Sequence, residues 1–293
     1  MIKTYQSFAK INLFLYLISK RDDNYHNLYS LMTRIDLFDD ILIDFSKKDI
    51  SIECKYKNVP NGRSNIAFQA AVLFYEHFKK IETLKDYGLF IKIRKRIPPK
   101  SGLGGGSSNA ALVLKALNEY YNKPFSRKKL RKIGQKIGAD IPFFLFGKPA
   151  IAYGIGEKLK KAPKIQKYSL ILCDPDVKAS TAKVFKNTDL RLTAKQNCNK
   201  NSSLNPLSSN KGLNKKDLEK IMYNELEDYA SKLYPQIRKT KKIMAQVLQK
   251  KICMTGSGSF IFALFSNYKK AKKGYEALKK SLPEKRMFVC SFK

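Results

Sequence analysis

The feature that most constrains this chain is a run of glycines between a predicted strand and a predicted helix. The segment SGLGGGSSNA occupies residues 101–110, and four of the five residues at 102–106 are glycine. Residues 88–97 alternate between apolar and polar side chains, which predicts a strand that ends at two prolines. Residues 107–121 then read as a helix. Because each glycine costs backbone entropy, a purely structural loop rarely needs so many.

This glycine run predicts an anion-binding loop. Glycines let backbone N–H groups approach a ligand closely, and the N-terminus of a helix carries partial positive charge. Ser107 and Ser108 add hydroxyl groups near the first turn. Two common nucleotide motifs do not fit, since Gly106 stands where a P-loop has lysine and Ser107 stands at the third glycine of the dinucleotide fingerprint. The alternative is a flexible loop before a capped helix; phosphate binding is the preferred interpretation.

Two segments near the N-terminus carry polar residues in an apolar context. Residues 3–18 are predicted to form one or two strands. Lys10 and Asn12 are two residues apart on such a strand, so their side chains share one face. An exposed strand face would explain them equally well. Tyr25 and His26 lie in a polar turn, where a lone histidine is more often structural than functional.

Two later segments are also candidates. Asp140, in GADIPFF, is either a helix cap or a buried acid. Gly256 and Gly258, in MTGSGSFIFALF, predict a second tight turn before a strand, which could by itself be a hairpin turn.

Composition and charge limit the class of protein. The chain has 293 residues, of which 43% are apolar, so it can form one large or two ordinary globular domains. It has no membrane-length apolar run, and the N-terminal apolar segment lacks the features of a signal peptide. Five scattered cysteines without a CxxC pair predict reduced thiols in a cytoplasmic protein and no metal site, with Cys173 and Cys290 in the core. The net charge of +34 leaves nucleic-acid binding open, although the sequence has no matching motif.

The remaining pattern predicts a mixed α+β chain whose texture changes near residue 157. We expect an N-terminal domain at 1–157 and a C-terminal domain at 158–293. Before the boundary, strands are expected near 41–45 and 50–54 and helices at 65–81 and 127–137. After it, the sequence predicts a buried strand in KYSLILCDP, a long exposed loop at 191–216, helices at 217–232, 235–250 and 268–280, and a strand at 287–292.

Taken together, these motifs resemble the GHMP kinases. PPKSGLGGGSSNAA is similar to the central phosphate loop of that family, FAKINLFLYL to its first motif and MTGSGSFIFALF to its third, in the same order along the whole chain. Asn24 stands where the family has glycine before Tyr25 and His26, and asparagine tolerates the left-handed conformation. The resemblance implies two α+β domains with the active site in the cleft between them.

The resemblance also implies an activity and a set of site residues. The activity is ATP-dependent phosphorylation of the 2-hydroxyl of a cytidine-diphosphate-linked methylerythritol in the non-mevalonate isoprenoid pathway. Its catalytic residues would be Lys10 and Asp140, and magnesium would arrive with ATP. The remaining positions implied are a nucleotide set (Asn65, Ile66, Lys95, Leu103, Gly104, Gly105, Gly106, Ser107 and Ser108) and a substrate set (Asn12, Tyr25, His26, Thr181 and Phe185).

Two alternatives stay open at this point. One is another kinase of the same superfamily that acts on mevalonate, homoserine or galactose. The other is a nucleic-acid-binding module that uses the positive charge. The preferred expectation is a cytoplasmic monomer or homodimer with small-molecule substrates, no specific nucleic-acid partner and no membrane association.

Overall fold

A computed structural model describes residues 1–81, 87–188 and 213–293 of the protein. The chain forms two compact units, and neither is continuous in sequence. The first unit comprises Met1–Ala9, Leu37–Pro99 and Gly104–Lys148. The second unit comprises Lys10–Asp36, Lys100–Leu103 and Pro149–Lys293.

The described residues contain eleven strands and nine helices. The strands are β1 (Ile2–Lys20), β2 (His26–Asp44), β3 (Ile50–Glu53), β4 (Leu89–Arg94), β5 (Ala150–Tyr153), β6 (Lys158–Lys161), β7 (Ser169–Cys173), β8 (Tyr223–Asn224), β9 (Ile252–Met254), β10 (Ile261–Phe265) and β11 (Met287–Ser291). The helices are α1 (Ile66–Phe78), α2 (Gly105–Tyr120), α3 (Arg127–Gln135), α4 (Ile141–Phe146), α5 (Thr181–Lys186), α6 (Lys215–Ile221), α7 (Leu226–Leu233), α8 (Pro235–Leu248) and α9 (Tyr268–Ser281).

The first unit packs α1 to α4 around a sheet formed by β3, β4 and the parts of β2 and β1 that belong to it. β4 lies between β3, which it pairs in parallel, and β2, which it pairs antiparallel. α1 begins at Asn65, whose side chain accepts the Ala67 N–H at 3.0 Å, and it buries a face that includes Ala70 and Phe74. The core of this unit therefore supports α2 and the glycine loop that precedes it.

The second unit contains two groups of strands. In one, β1 pairs with β8 in parallel, and β2 pairs with β5, which pairs with β6. The other is a sheet in the order β11-β7-β10-β9, with α8 and α9 packed against it. β9 and β10 are antiparallel neighbours, so the TGSGS turn joins a strand to a strand.

Most local predictions are confirmed, with one clear error. The helix expected at 217–232 is instead α6, the short strand β8 and α7. Tyr223 and Asn224 leave the helical conformation because they pair with Phe14 and Leu15 of β1. This tertiary pairing overrides a helical sequence pattern.

Three other expectations concern the cysteines, the long loop and the domain boundary. Cys173 and Cys290 are buried as predicted, and the four cysteines of the described segments are free thiols. Most of the loop expected at 191–216 lies outside the described residues. The division at residue 157 is not the one that the compact units follow, because β1 and β2 each run through both units.

Candidate active site

The start of α2 presents backbone N–H groups from residues without side chains. Gly104 is the N-cap in the left-handed conformation (φ 68°), and the first helical hydrogen bond runs from the Ser108 N–H to the Gly104 carbonyl at 2.8 Å. The amides of Gly105, Gly106 and Ser107 precede that bond, so they have no acceptor inside the helix. Gly106 is exposed. This arrangement can bind an anionic ligand such as a phosphate.

A buried ion pair lies beneath this helix start. The Lys95 ammonium is 2.5 Å from one oxygen of Asp39, and both side chains are almost completely buried. The same oxygen accepts the Asn109 amide at 2.9 Å, while the other accepts the N–H groups of Arg96 and Ile97 at 2.8 and 2.9 Å. Asp39 therefore joins the residues that precede the loop to the second turn of α2.

The two serines of the loop face different surroundings. Ser108 is buried; its hydroxyl donates to the Phe8 carbonyl at 2.6 Å and accepts from Ser7 at 2.7 Å. Its N–H is also bonded, so the amides at this helix start that have no helical acceptor belong to the three residues before Ser108. Ser107 is half-buried, and its Oγ lies 3.8 Å from where a Cβ on Gly138 would stand.

The residues predicted to hold the nucleotide base lie beside the loop in the first unit. A Cβ on Gly106 would come within 3.0 Å of Ile66 Cδ1, so Ile66 borders the phosphate loop directly. The Asn65 side chain is occupied by capping α1 and by its bond to the Pro60 carbonyl at 2.8 Å. The ammonium of Lys95 is committed to Asp39. Ile66 is therefore the side chain of this set that can offer an apolar surface to a base.

Asp140 stands at the N-terminus of α4 in the first unit. Its side chain does not make the capping hydrogen bond that this position allows, and the residue is half-buried. Gly138, two residues earlier, approaches Ser107 of the glycine loop. The structure therefore brings the segment that carries Asp140 next to the predicted phosphate site.

Lys10 and Asn12 are buried in the second unit, which excludes the exposed-face alternative. Lys10 Nζ donates to Asn12 Oδ1 at 2.7 Å, as expected for two residues on one face. The Asn12 amide nitrogen donates to Ser30 Oγ at 2.7 Å, and the Asn12 backbone N–H donates to Thr255 Oγ1 at 3.0 Å. These contacts hold the lysine in a defined direction.

The third glycine motif packs closely on this lysine. A Cβ on Gly256 would lie 3.4 Å from Lys10 Nζ, and one on Gly102 would lie 2.2 Å from the Thr255 carbonyl oxygen. Leu103 is buried, and its carbonyl accepts the Lys10 N–H at 3.0 Å. A side chain at Gly102 would collide with the Thr255 carbonyl, so only glycine fits there. The burial of Leu103 and its bond to the Lys10 N–H hold the chain in place at the next residue.

Sequence reasoning missed the residue that holds this turn. Asn224 donates its side-chain amide to the carbonyls of Met254 and Gly256, each at 2.8 Å. Its Oδ1 accepts the Leu226 N–H at 3.0 Å. Asp39 and Thr255 were missed for the same reason, since each acts through contacts with residues far away in the chain. A buried polar side chain in an apolar run was their only local signal.

His26 and its neighbours form a separate part of the second unit. Asn24 is left-handed (φ 63°), as its place in the turn requires. His26 is buried, and its ring centroid lies 5.4 Å from that of Phe185, which leaves no space for a third ring between them. Tyr25 is 57% exposed and can offer its ring to a ligand. Burial, followed by the charge of Lys20, lowers the pKa of His26 below its ordinary value.

Thr181 lies apart from His26 in the described contacts. Its hydroxyl is 2.7 Å from Ser257 Oγ in the TGSGS turn. Phe185 follows it one turn later on α5. The helix α5 therefore contacts the third glycine motif through Thr181 and the His26 ring through Phe185.

A glycine loop at a helix start with an adjoining acid, both in the first unit, is an arrangement that suits phosphate chemistry. The chain belongs to the GHMP kinases and has their two-domain α+β fold. The model of the "GHMP kinases N terminal domain" matches residues 65–148, and that of the "GHMP kinases C terminal" domain matches residues 209–284.

Similar proteins carry a more specific name. The 4-diphosphocytidyl-2-C-methyl-D-erythritol kinase of Syntrophus aciditrophicus is 37% identical over 93% of both chains. That of Acetivibrio thermocellus is 38% identical over 94% of both. A crystal structure of 4-(cytidine 5'-diphospho)-2C-methyl-D-erythritol kinase matches with a TM-score of 0.77 and 29% identity over 99% of both chains. Homoserine kinase from Cytophaga hutchinsonii, at 19% identity and a TM-score of 0.72 over 99% of this chain and 94% of its own, shares the fold.

Two features are absent from the residues that the structure describes. None of their helices is long and apolar enough to cross a membrane. They also contain no group of three or more His, Cys, Asp or Glu side chains that could hold a metal ion.

Proposed function

We propose that this protein transfers the γ-phosphoryl group of ATP to the 2-hydroxyl of 4-diphosphocytidyl-2-C-methyl-D-erythritol. The observation that carries the proposal is the buried His26, packed on Phe185, in a GHMP kinase whose named relatives act on a cytidyl substrate. A buried imidazole next to the exposed ring of Tyr25 suits a nucleobase, which offers an aromatic face and a polar edge.

The glycine loop fits the triphosphate of ATP. Gly104, Gly105 and Gly106 present backbone without side chains, and the helix dipole of α2 favours negative charge at that end. Ile66 borders the loop and supplies an apolar wall for the adenine. When bound, ATP supplies the phosphoryl group and the charge that these donors must neutralise.

Asp140 and Lys10 are the proposed catalytic residues. Asp140 accepts the proton of the substrate hydroxyl as the oxygen–phosphorus bond forms and the bond to ADP breaks. The Lys10 ammonium, directed by Asn12, stabilises the negative charge that develops on the transferred group. The products are ADP, a phosphate monoester and a proton released from Asp140.

The substrate is held by the second unit. Tyr25 offers an exposed ring to stack on the cytosine, and His26 offers a ring nitrogen to its polar edge. Phe185 supports the imidazole, and Thr181 lies at the TGSGS turn with Ser257. Asn12 orients the substrate through the same amide that directs Lys10.

Magnesium fits this site as an ion carried by the nucleotide. Mg²⁺ commonly binds through substrate phosphates and one or two carboxylates, with water completing the shell. Asp140 is the carboxylate of the described site that could contribute to such a shell. The proposal also places the protein in the cytoplasm as a monomer or homodimer with no specific nucleic-acid partner.

The decisive test is a coupled ADP-release assay on the purified protein. The cytidyl substrate is offered beside mevalonate, homoserine and galactose, with the Asp140→Asn variant as control. Turnover with the cytidyl substrate alone, strongly reduced in the variant, supports the proposal. Turnover with another acceptor would refute the substrate assignment, and a wild-type rate in Asp140→Asn would refute the catalytic assignment.

A further inference from the structure

The two ring nitrogens of His26 have different surroundings. Nε2 lies 2.9 Å from the hydroxyl oxygen of Thr188. Nδ1 is buried and has no hydrogen-bond partner among the residues that the structure describes. His26 as a whole is 5% exposed, so water cannot freely satisfy that nitrogen. Buried polar atoms in native proteins nearly always have a hydrogen-bond partner, so this nitrogen has a bonding capacity that a ligand could use.

The hydrogen bonds of Thr188 decide which nitrogen carries the proton. A threonine hydroxyl has one proton to donate. Thr188 Oγ1 is 2.8 Å from the Phe185 carbonyl oxygen, which can only accept. If the proton goes there, the hydroxyl oxygen is left to accept a hydrogen bond from the Nε2–H of His26. In the opposite arrangement the Thr188 proton goes to Nε2 of His26. The Phe185 carbonyl then receives no hydrogen bond from Thr188, and the buried Nδ1–H of His26 has no acceptor among the described residues.

We propose that Thr188 is a positioning residue that fixes His26 in the Nε2–H tautomer and thereby reserves Nδ1 as a buried hydrogen-bond acceptor. Thr188 contacts both residues of the ring pair. Its hydroxyl bonds to Nε2 of His26 and donates its proton to the carbonyl of Phe185, whose ring packs on His26. The lowered pKa of His26 supports this arrangement, since burial keeps the ring neutral and its lone pair available.

The fixed tautomer selects the ligand by its chemistry. An acceptor at Nδ1 requires a hydrogen-bond donor on the ligand, such as the exocyclic amino group of cytosine. Uracil has a carbonyl oxygen at the same position and would bring two acceptors together. When a site is built to make a particular hydrogen bond, an analogue that cannot make that bond has a much lower kcat/KM. This consequence rests on the proposed cytidyl substrate, whereas the tautomer itself rests on the geometry alone.

The first experiment reads the tautomer directly. The chain has two histidines, and the second, His77, has its Nδ1 2.8 Å from the Leu73 carbonyl, so it must donate from Nδ1. Nitrogen NMR of isotopically labelled protein near neutral pH should show His26 protonated at Nε2 and His77 protonated at Nδ1. His77→Gln assigns the signals. A protonated Nδ1 on His26 in the unliganded protein would overturn the proposal.

The second experiment varies the hydroxyl of Thr188. Thr188→Val keeps the shape and removes the hydroxyl, while Thr188→Ser restores it. We expect the valine variant to lose the single tautomer of His26, with the His77 signals unchanged, and the serine variant to keep it. Unchanged His26 signals in Thr188→Val would contradict the role of Thr188.

The third experiment compares the cytidyl substrate with its uridyl analogue by kcat/KM. We expect the preference for the cytidyl form to fall at least about tenfold in Thr188→Val and to be kept in Thr188→Ser. Equal preference in wild type and Thr188→Val would refute the specificity role. Absence of turnover with either substrate in the wild type would instead refute the proposed function and leave the tautomer result standing.

Discussion

The ammonium of Lys95 lies 2.5 Å from the carboxylate of Asp39, directly beneath the first residue of α2. A Cβ on Gly105 would come within 3.1 Å of Lys95 Nζ. Asp39 also accepts the backbone N–H groups of Arg96 and Ile97. The pair therefore holds the segment that precedes the glycine loop and packs against Gly105 at the start of α2. The alignment of the phosphate-binding amides should therefore depend on it.

Lys95→Met should weaken nucleotide binding and destabilise the protein. Removing one partner of a buried pair leaves an uncompensated charge, which typically costs about 3–5 kcal/mol. Urea unfolding measures the stability, and calorimetric titration with ADP measures the affinity. The double variant with Asp39→Asn should recover part of the lost stability, since the unpaired charge is then absent. Lys115→Met, which breaks the exposed pair with Glu119 on the same helix, is the matched control and should change little.

Gly105→Val should lower ATP affinity more than it lowers stability. The first side-chain carbon would lie 2.8 Å from Ile97 Cγ2, so the start of α2 must shift. Gly147→Ala is the matched control: its φ of +75° costs about 1 kcal/mol, but no atom lies within 4 Å of the added carbon. Equal ATP affinities in the two variants, measured by calorimetry, would contradict the role of the loop.

Asp140→Asn should lower kcat by roughly 100-fold or more, because a general base typically contributes that factor. Lys10→Met should lower kcat by a similar amount, about 100- to 1,000-fold, through lost charge stabilisation. ADP binding should persist in both variants. Steady-state kinetics with calorimetry separates the two effects, and Glu276→Gln, which removes an exposed carboxylate on α9, should behave as wild type. A loss of ADP affinity that accounts for the whole defect would argue against catalytic roles.

Acidification should destabilise the protein through His26. Its pKa lies below the ordinary 6.5, so between the two values the unfolded chain binds a proton that the folded protein does not. The free energy of unfolding should fall as the pH drops through 6.5. Urea unfolding over this range measures the slope, and His26→Asn should remove the part due to this residue. If the wild-type slope equals that of the variant, the pKa of His26 is the same in the folded and unfolded protein, and the prediction is wrong.

The parts of the site that could be predicted from sequence are those built by consecutive residues. The glycine loop before a helix and the shared face of Lys10 and Asn12 both depend on local spacing, and both are present in the structure. Asp140 stands at a helix start, which was one of the two interpretations that its sequence context left open.

The supporting residues could not be predicted because their roles arise from distant contacts. Asp39 meets Asn109 across 70 residues of sequence, and Asn12 meets Thr255 across 243. The error at β8 has the same origin, since Asn224 leaves a helical pattern to hold Gly256 and pair with β1. Such contacts have no periodicity in the sequence, and only the folded chain brings their partners together.

The path of β1 also sets an order of events during synthesis. The Leu17 N–H is satisfied by Glu225, 208 residues later, and Phe14 pairs with Tyr223. A growing chain therefore carries an unpaired strand edge through most of its translation, and such an edge readily pairs with other chains. The second unit can close only after β8 has left the ribosome, so slow or interrupted translation before residue 223 should favour aggregation over folding.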